Sequence, residues 1–292
     1  QTASIVAGGY GFPPSPSGTN NTESYNGSSW TNVADMNDGI GYSSGVGTQV
    51  AALAFGGVPS SAPYRSALNE SWNGTSWSEV GDLVTATMQM VGTGTQTAAL
   101  AIGGGNSGDD YSANTQIWNG SSWSEGNNLN TGRAIAAGGG TSTASIIFGG
   151  QVPGAATAVT ETWNGTSWTN GNSMNTARQA LLGAGSPSAA VAYGGTIPAS
   201  APPGANTTQT EDYDGTSWSI SGATLAAGRS DTEGCGTGTA AITAGGNPTP
   251  VNATSTITLN APTIYSPVAA TWASGGAVNT GRRSGAGAGT QT

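Results

Sequence analysis

The chain has 292 residues, 49 of them glycine, and a formal net charge of −9 from 15 carboxylates and six arginines, with neither lysine nor histidine. That balance argues against a nucleic-acid groove, which needs clustered cations. Missing histidine and lysine exclude Ser-His-Asp and Cys-His nucleophiles, histidine metal centres and Schiff-base chemistry.

Gln1 to Gly9 (QTASIVAGG) reads as an apolar strand closed by a glycine pair. An aromatic hairpin follows at Glu23 to Trp30 (ESYNGSSW). From there three landmarks recur in order: a G-x-G segment, an apolar run ending in Gly-Gly, and a hairpin. The G-x-G segments begin at Gly45, Gly92, Gly138, Gly183, Gly234 and Gly287. Further glycine pairs stand at Gly56-Gly57, Gly103-Gly104, Gly149-Gly150, Gly194-Gly195 and Gly245-Gly246. Further hairpins run Glu70 to Trp77 (ESWNGTSW), Gln116 to Trp123 (QIWNGSSW), Glu161 to Trp168 (ETWNGTSW) and Glu211 to Trp218 (EDYDGTSW). A degenerate copy joins Thr263-Ile264-Tyr265 to Trp272 across a longer turn with Pro267.

Asn-Gly suits a two-residue type I′ turn, whose central positions both need φ > 0. One hairpin cannot bury its own two rings; stacked hairpins can. Trp30, Trp77, Trp123, Trp168, Trp218 and Trp272 are spaced 47, 46, 45, 50 and 54 residues apart, the period of a four-stranded propeller blade. Runs such as Thr97 to Ile102 and Ala144 to Phe148 suit strands covered on both faces, and the glycine-rich segments suit a crowded axis. So poor a content of charge could signal disorder, but nine tryptophans and eight tyrosines at a fixed period argue for a packed core.

The fold expected is all-β, a six-bladed propeller of four-stranded antiparallel blades in one domain, 1–292. The end segment Arg283 to Thr292 (RSGAGAGTQT) is an inner strand without its partners, and Gln1 to Gly9 lacks an inner strand. Together they make a composite blade, 1–36 plus 279–292, that closes the ring and removes sheet edges. The other blades fall at about 37–83, 84–129, 130–174, 175–224 and 225–278. Beginning inside a repeat at Gln1, the chain reads as a fragment or processed product. Gln291-Thr292 repeats the register of Gln1-Thr2, so one of these pairs hangs free.

At these residues the pattern resembles the kelch repeat: an Arg opening the inner strand, an apolar strand ending in Gly-Gly, then Tyr, then Trp. One copy runs Arg133, Gly149-Gly150, Trp163, Trp168, and the next Arg178, Gly194-Gly195, Tyr213, Trp218. The chain departs from the pattern where Trp replaces Tyr in three hairpins and where Ile40 and Thr87 stand in place of Arg. The lysine-free, Ser/Thr/Asn/Gly-rich style looks like kelch-like proteins of marine phages and bacteria. The resemblance implies an interaction platform, with enzymes a minority. The copper oxidases of that kind use histidine ligands, which this chain lacks.

Several residues are candidates for binding. Arg133, Arg178, Arg229 and Arg282 open consecutive blades and could form an arc that takes a carboxylate, sulfate or acidic sugar. Alternatively each pairs within its blade: Arg133 with Glu161, Arg178 with Glu211, Arg282 with Glu23, while Thr263 leaves Arg229 without such a partner. The loops after the glycine pairs vary, and variable loops on a rigid scaffold carry binding. Tyr10, Phe12, Tyr64, Arg65, Asp109, Asp110 and Tyr111 are their contact-capable residues. The hairpin tryptophans are assigned to the core between blades. Asp109-Asp110 is too small a carboxylate set for Ca²⁺, and Cys235 reads as a small buried residue. Neither a metal nor a cofactor is expected. Asn26, Asn73, Asn119 and Asn164 match the glycosylation sequon, but the turn already accounts for Asn-Gly.

The function expected is non-enzymatic: a virion or cell-surface module presenting loops to a glycan or protein, extracellular or virion-associated, without membrane insertion. A purely structural fibre component and a sialidase-like or other glycoside hydrolase are the alternatives. Sialidases also have six blades with a repeated box ending in Trp, but here Asn and Gly are adjacent and the box is not matched.

Overall fold

A computed structural model describes residues 3–11, 18–60, 65–105, 111–198, 205–231, 233–237, 240–244, 246–248, 263–266, 271–274, 282–283 and 285–290. Its architecture is an all-β propeller built of four-stranded antiparallel blades. Among the described residues there is no helix, hence none long and apolar enough to cross a membrane.

Five blades each come from one continuous stretch. In the blade at the middle of the chain, the inner strand Ala137–Thr141 pairs with Ala144–Phe148, which pairs with Thr160–Trp163, which pairs with Trp168–Gly171. The other four inner strands are Ser44–Thr48, Val91–Thr95, Leu182–Ser186 and Glu233–Thr237, and the five lie successively side by side. The two ends of the chain meet in a further four-stranded sheet, where Ala286–Thr290 pairs with Ala3–Ala7. A second head-to-tail pairing joins Tyr10–Gly11 to Arg282–Arg283.

Inner strands are glycine-rich because their neighbours leave no room. At Gly47 the backbone takes φ +112°, and a Cβ would lie 2.3 Å from the Ala51 carbonyl oxygen. The glycine pair does a related job at the blade's face. A Cβ on Gly103 would meet the Arg133 carbonyl oxygen of the next blade at 2.6 Å.

The cores lie between sheets, and the hairpin rings fill them. Trp163 and Trp168 stack on each other at 5.3 Å and pack with Leu100 and Ile102 of the preceding blade. Tyr213 and Trp218 do the same against Ile146 and Phe148, with Phe148 edge-on to Trp218 at 4.7 Å. Trp72 and Trp77 pack against Ile5, Ala7, Ala286 and Ala288 of the end sheet. Trp30 and Trp123 are also buried, while Trp272 is described only through its strand, Thr271–Ser274. Buried indole N–H groups need acceptors. Those of Trp77, Trp168 and Trp218 donate to Thr22, Thr115 and Thr160 of the preceding sheets. Gln49 and Gln96 add blade-to-blade latches by donating to the carbonyls of Tyr25 and Trp72.

The hairpin turn differs from the expectation. Only the glycine has positive φ, as at Gly74 (+93°), and Asn73 does not. The Asn73 Oδ1 instead accepts the amides of Thr75 and Ser76, both at 2.9 Å, while its own N–H donates to the Ser76 carbonyl. Gly74 and Thr75 are thus the central pair, a pattern that fits a type II′ turn with Gly first and not type I′ centred on Asn-Gly. The Asn is present for its side-chain oxygen, and Asp214 replaces it with the same bonds to Thr216 and Ser217.

Candidate axial binding site

Two of the four arginines expected to line an arc, Arg133 and Arg178, are turned inward. Arg133 and Arg178 are fully buried and form ion pairs with Glu161 and Glu211 of their own blades, the second at 3.0 Å. The Arg178 Nη1 also donates to the Gly194 and Gln209 carbonyls. Each glutamate further accepts from an asparagine three residues before the arginine: Asn130 at 2.8 and 2.9 Å, Asn175 at 2.7 and 3.0 Å. Burial holds both arginine pKa values below the usual range, and the paired carboxylates act against that shift. These two residues tie each blade to its own loop and are not presented to a ligand, which corrects the arc. The reason is reach: Arg133 and Arg178 stand four residues before their inner strands and do not open them, and from there a guanidinium spans its blade to the glutamate.

Other blades vary the device. Glu70, in the blade with Ile40, is fully buried and accepts from Asn37 twice and from Asp38. Gln116, in the blade with Thr87, is neutral and exchanges two bonds with the Thr85 backbone. Arg229 is buried, and its Nε and Nη1 have no partner among the described residues. Desolvation lowers its pKa. Arg282 is described only through its strand, as is Cys235. Phe12, Tyr64, Asp109, Asp110 and Pro267 lie outside the described residues. Arg65 and Tyr111 are half-buried in loops that follow glycine pairs. These loops do lie on the face where the inner strands begin: Gly105 bridges Met88 and Tyr111, and Thr196 bridges Gln179.

That face has a centre. Two residues after each arginine-equivalent position the backbone turns left-handed at a residue that is not glycine. These are Tyr42 (φ 56°), Gln89 (57°), Ile135 (45°), Ala180 (50°) and Asp231 (50°). Such conformations cost ~1–3 kcal/mol each and persist only where the surroundings impose them. Here a head-to-tail chain of backbone hydrogen bonds does so. The Gln89 N–H donates to the Tyr42 carbonyl at 2.9 Å and the Ile135 N–H to Gln89 at 3.0 Å. The Ala180 N–H donates to Ile135 at 2.9 Å and the Asp231 N–H to Ala180 at 3.2 Å. One residue per blade is thereby held around the mouth of the axis.

The mouth opens into a cavity of 170 Å³ lined by Tyr42, Gln89, Ile135, Ala180 and Asp231, with Ser43 and Ser44 beneath Tyr42. Below it a 120 Å³ space continues along the axis between Gly45, Gly92, Gly138, Gly183 and Gly287. Tyr42 packs tilted at 5.3 Å against Tyr10, a loop residue chosen from the sequence that touches this site through Tyr42. Asp231 is the only carboxylate among the described lining residues. The arrangement offers an aromatic platform, an amide, a carboxylate and hydroxyls around a polar well.

Sequence reasoning missed Tyr42, Gln89 and Asp231. A signal existed: the column two places after the Arg position reads Tyr, Gln, Ile, Ala, Asp, while the G-x-G that follows stays fixed. The chain matches no protein-family model and no curated protein.

Proposed function

We propose that this chain is a non-enzymatic recognition propeller that takes the end of a glycan at its axial mouth, on a virion or cell surface. The observation carrying this reading is the ring of non-glycine residues held left-handed around the cavity. Strain maintained at equivalent positions of successive blades, with a different side chain at each, suits a site that is read one residue per blade. The cavity is smaller than the ~300–1,000 Å³ of pockets that enclose a whole drug-sized ligand. It therefore favours a chain end over a chain flank. An aromatic pair with an amide and a carboxylate matches a sugar's apolar face and hydroxyl edge. Asp231, the one carboxylate among the described lining residues, is by itself poorly suited to glycoside hydrolysis, which needs two.

In the same reading the fold is a kelch-type ring of six blades, the sixth being the sheet shared by the two ends. Support comes from Ala286–Thr290, which lies against both Ser44–Thr48 and Glu233–Thr237. Ala7 and Ala286 are paired in that sheet. Cysteines placed at both, with Cys235→Ala, should form a disulfide spontaneously; failure to cross-link would remove the closure.

A glycan array tests the function. Micromolar binding that Tyr42→Ala abolishes without lowering the melting temperature supports the reading. Equal binding by the variant overturns the site. Tight assembly with a partner chain and no glycan bound would favour a structural fibre component, and turnover of a sialoside would make the chain an enzyme.

A further inference from the structure

We infer that Arg229 is the cation of a second, separate anion site, inside its blade, that takes a carboxylate from outside the chain. In the two preceding blades the same position carries a complete set of partners: arginine, glutamate on the third strand, and an asparagine that orients the glutamate. The blade of Arg229 keeps only the arginine. Thr263 is paired with Thr243 at the register where Glu161 is paired with Ile147 and Glu211 with Ala192. Ala226 stands where Asn130 and Asn175 stand. Among the described side chains of that blade none supplies the missing negative charge.

Arg229 is nevertheless buried, with 5% of the residue exposed. Arg178 leaves only its Nε unused, whereas Arg229 lacks a partner among the described residues at both Nε and Nη1. A buried, uncompensated charge is among the costliest features a fold can carry. The two sister blades define where an incoming carboxylate would sit. There the glutamate rests on Nη2 and on the backbone amide three residues before the arginine, joined in one blade by the amide after it. The matching amides belong to Ala226, which is exposed, and Ala227, which is half-exposed. Planar, bidentate carboxylate suits an arginine fork better than a spherical halide does. The group could be a free small acid or the carboxylate of an acidic sugar.

The test is thermal unfolding of the intact chain in sodium acetate and in sodium chloride at equal ionic strength, with sodium glucuronate as a third arm. Acetate should raise the melting temperature by about 2–4 °C over chloride at concentrations some tenfold above its Kd. Arg229→Gln should abolish the difference. Thr263→Glu supplies the carboxylate within the chain, and should raise the melting temperature in chloride while removing the response to acetate. An advantage of glucuronate over acetate assigns the site to acidic sugars; equality assigns it to small acids. No acetate effect, or one that survives Arg229→Gln, overturns the site. Tyr42→Ala should leave the response intact, which separates this inference from the axial one.

Discussion

Trp168→Ala tests whether the hairpin rings are core and not a sugar platform. Trp168 is 6% exposed and sits on Leu100 and Ile102 of the neighbouring blade. A buried tryptophan removes roughly 150–250 Å² from water, or about 4–6 kcal/mol at ~25 cal/mol per Å². A compact unfolded state reduces that by roughly 10–40%. The substitution also strands the Thr115 hydroxyl, which accepts the indole N–H at 2.9 Å in a fully buried position, adding about 1 kcal/mol. The expected loss is therefore about 4–5 kcal/mol, a drop of roughly 7–8 °C in melting temperature for a chain of this size. Urea and thermal unfolding followed by tryptophan fluorescence and far-UV circular dichroism would measure it. Trp168→Phe should lose less than half as much, because most of the apolar contact remains. A loss below about 1 kcal/mol for the alanine variant would refute the assignment of the rings to the core.

Three further outcomes are expected. Glu211→Leu should cost about 3–5 kcal/mol by leaving Arg178 buried without its counter-charge, and Arg178→Met with Glu211→Leu should recover most of that, as a double-mutant cycle would show. Asn69→Thr should stabilise by about 0.5–1.5 kcal/mol in urea unfolding. The reason is that the buried Trp123 Nε1 and Asn69 Oδ1 both lack partners, while threonine at the equivalent position serves Trp77, Trp168 and Trp218. Ile135→Gly should raise stability by about 0.5–1 kcal/mol, because relief of a left-handed β-branched residue exceeds the entropy cost of glycine. A fall in stability would show that Ile135 is not strained.

Strand order, blade period and the placement of the tryptophans were legible because they rest on repetition within about 50 residues. The intrablade pairing of Arg133 and Arg178 was legible as an alternative, since Glu161 and Glu211 recur with them. Sequence alone could not say whether those guanidiniums point inward, because both readings need the same residues. The turn was misjudged where the side chain of Asn73 replaced a backbone conformation as its contribution. The axial ring was missed for a physical reason: its hydrogen bonds join residues of different blades, such as Gln89 and Ile135. No local propensity marks Ile135 or Ala180 for positive φ, and only assembly of the blades imposes it.

The most direct measurement for the axial site is amide chemical-shift mapping of the chain titrated with a glycan identified on the array. The account predicts that shifts centre on Gln89, Ile135, Ala180 and Asp231, together with the Tyr42 ring. Shifts confined to the hairpin tips around Asn73, Asn119 and Asn164, or to the loop of Arg65, would contradict it.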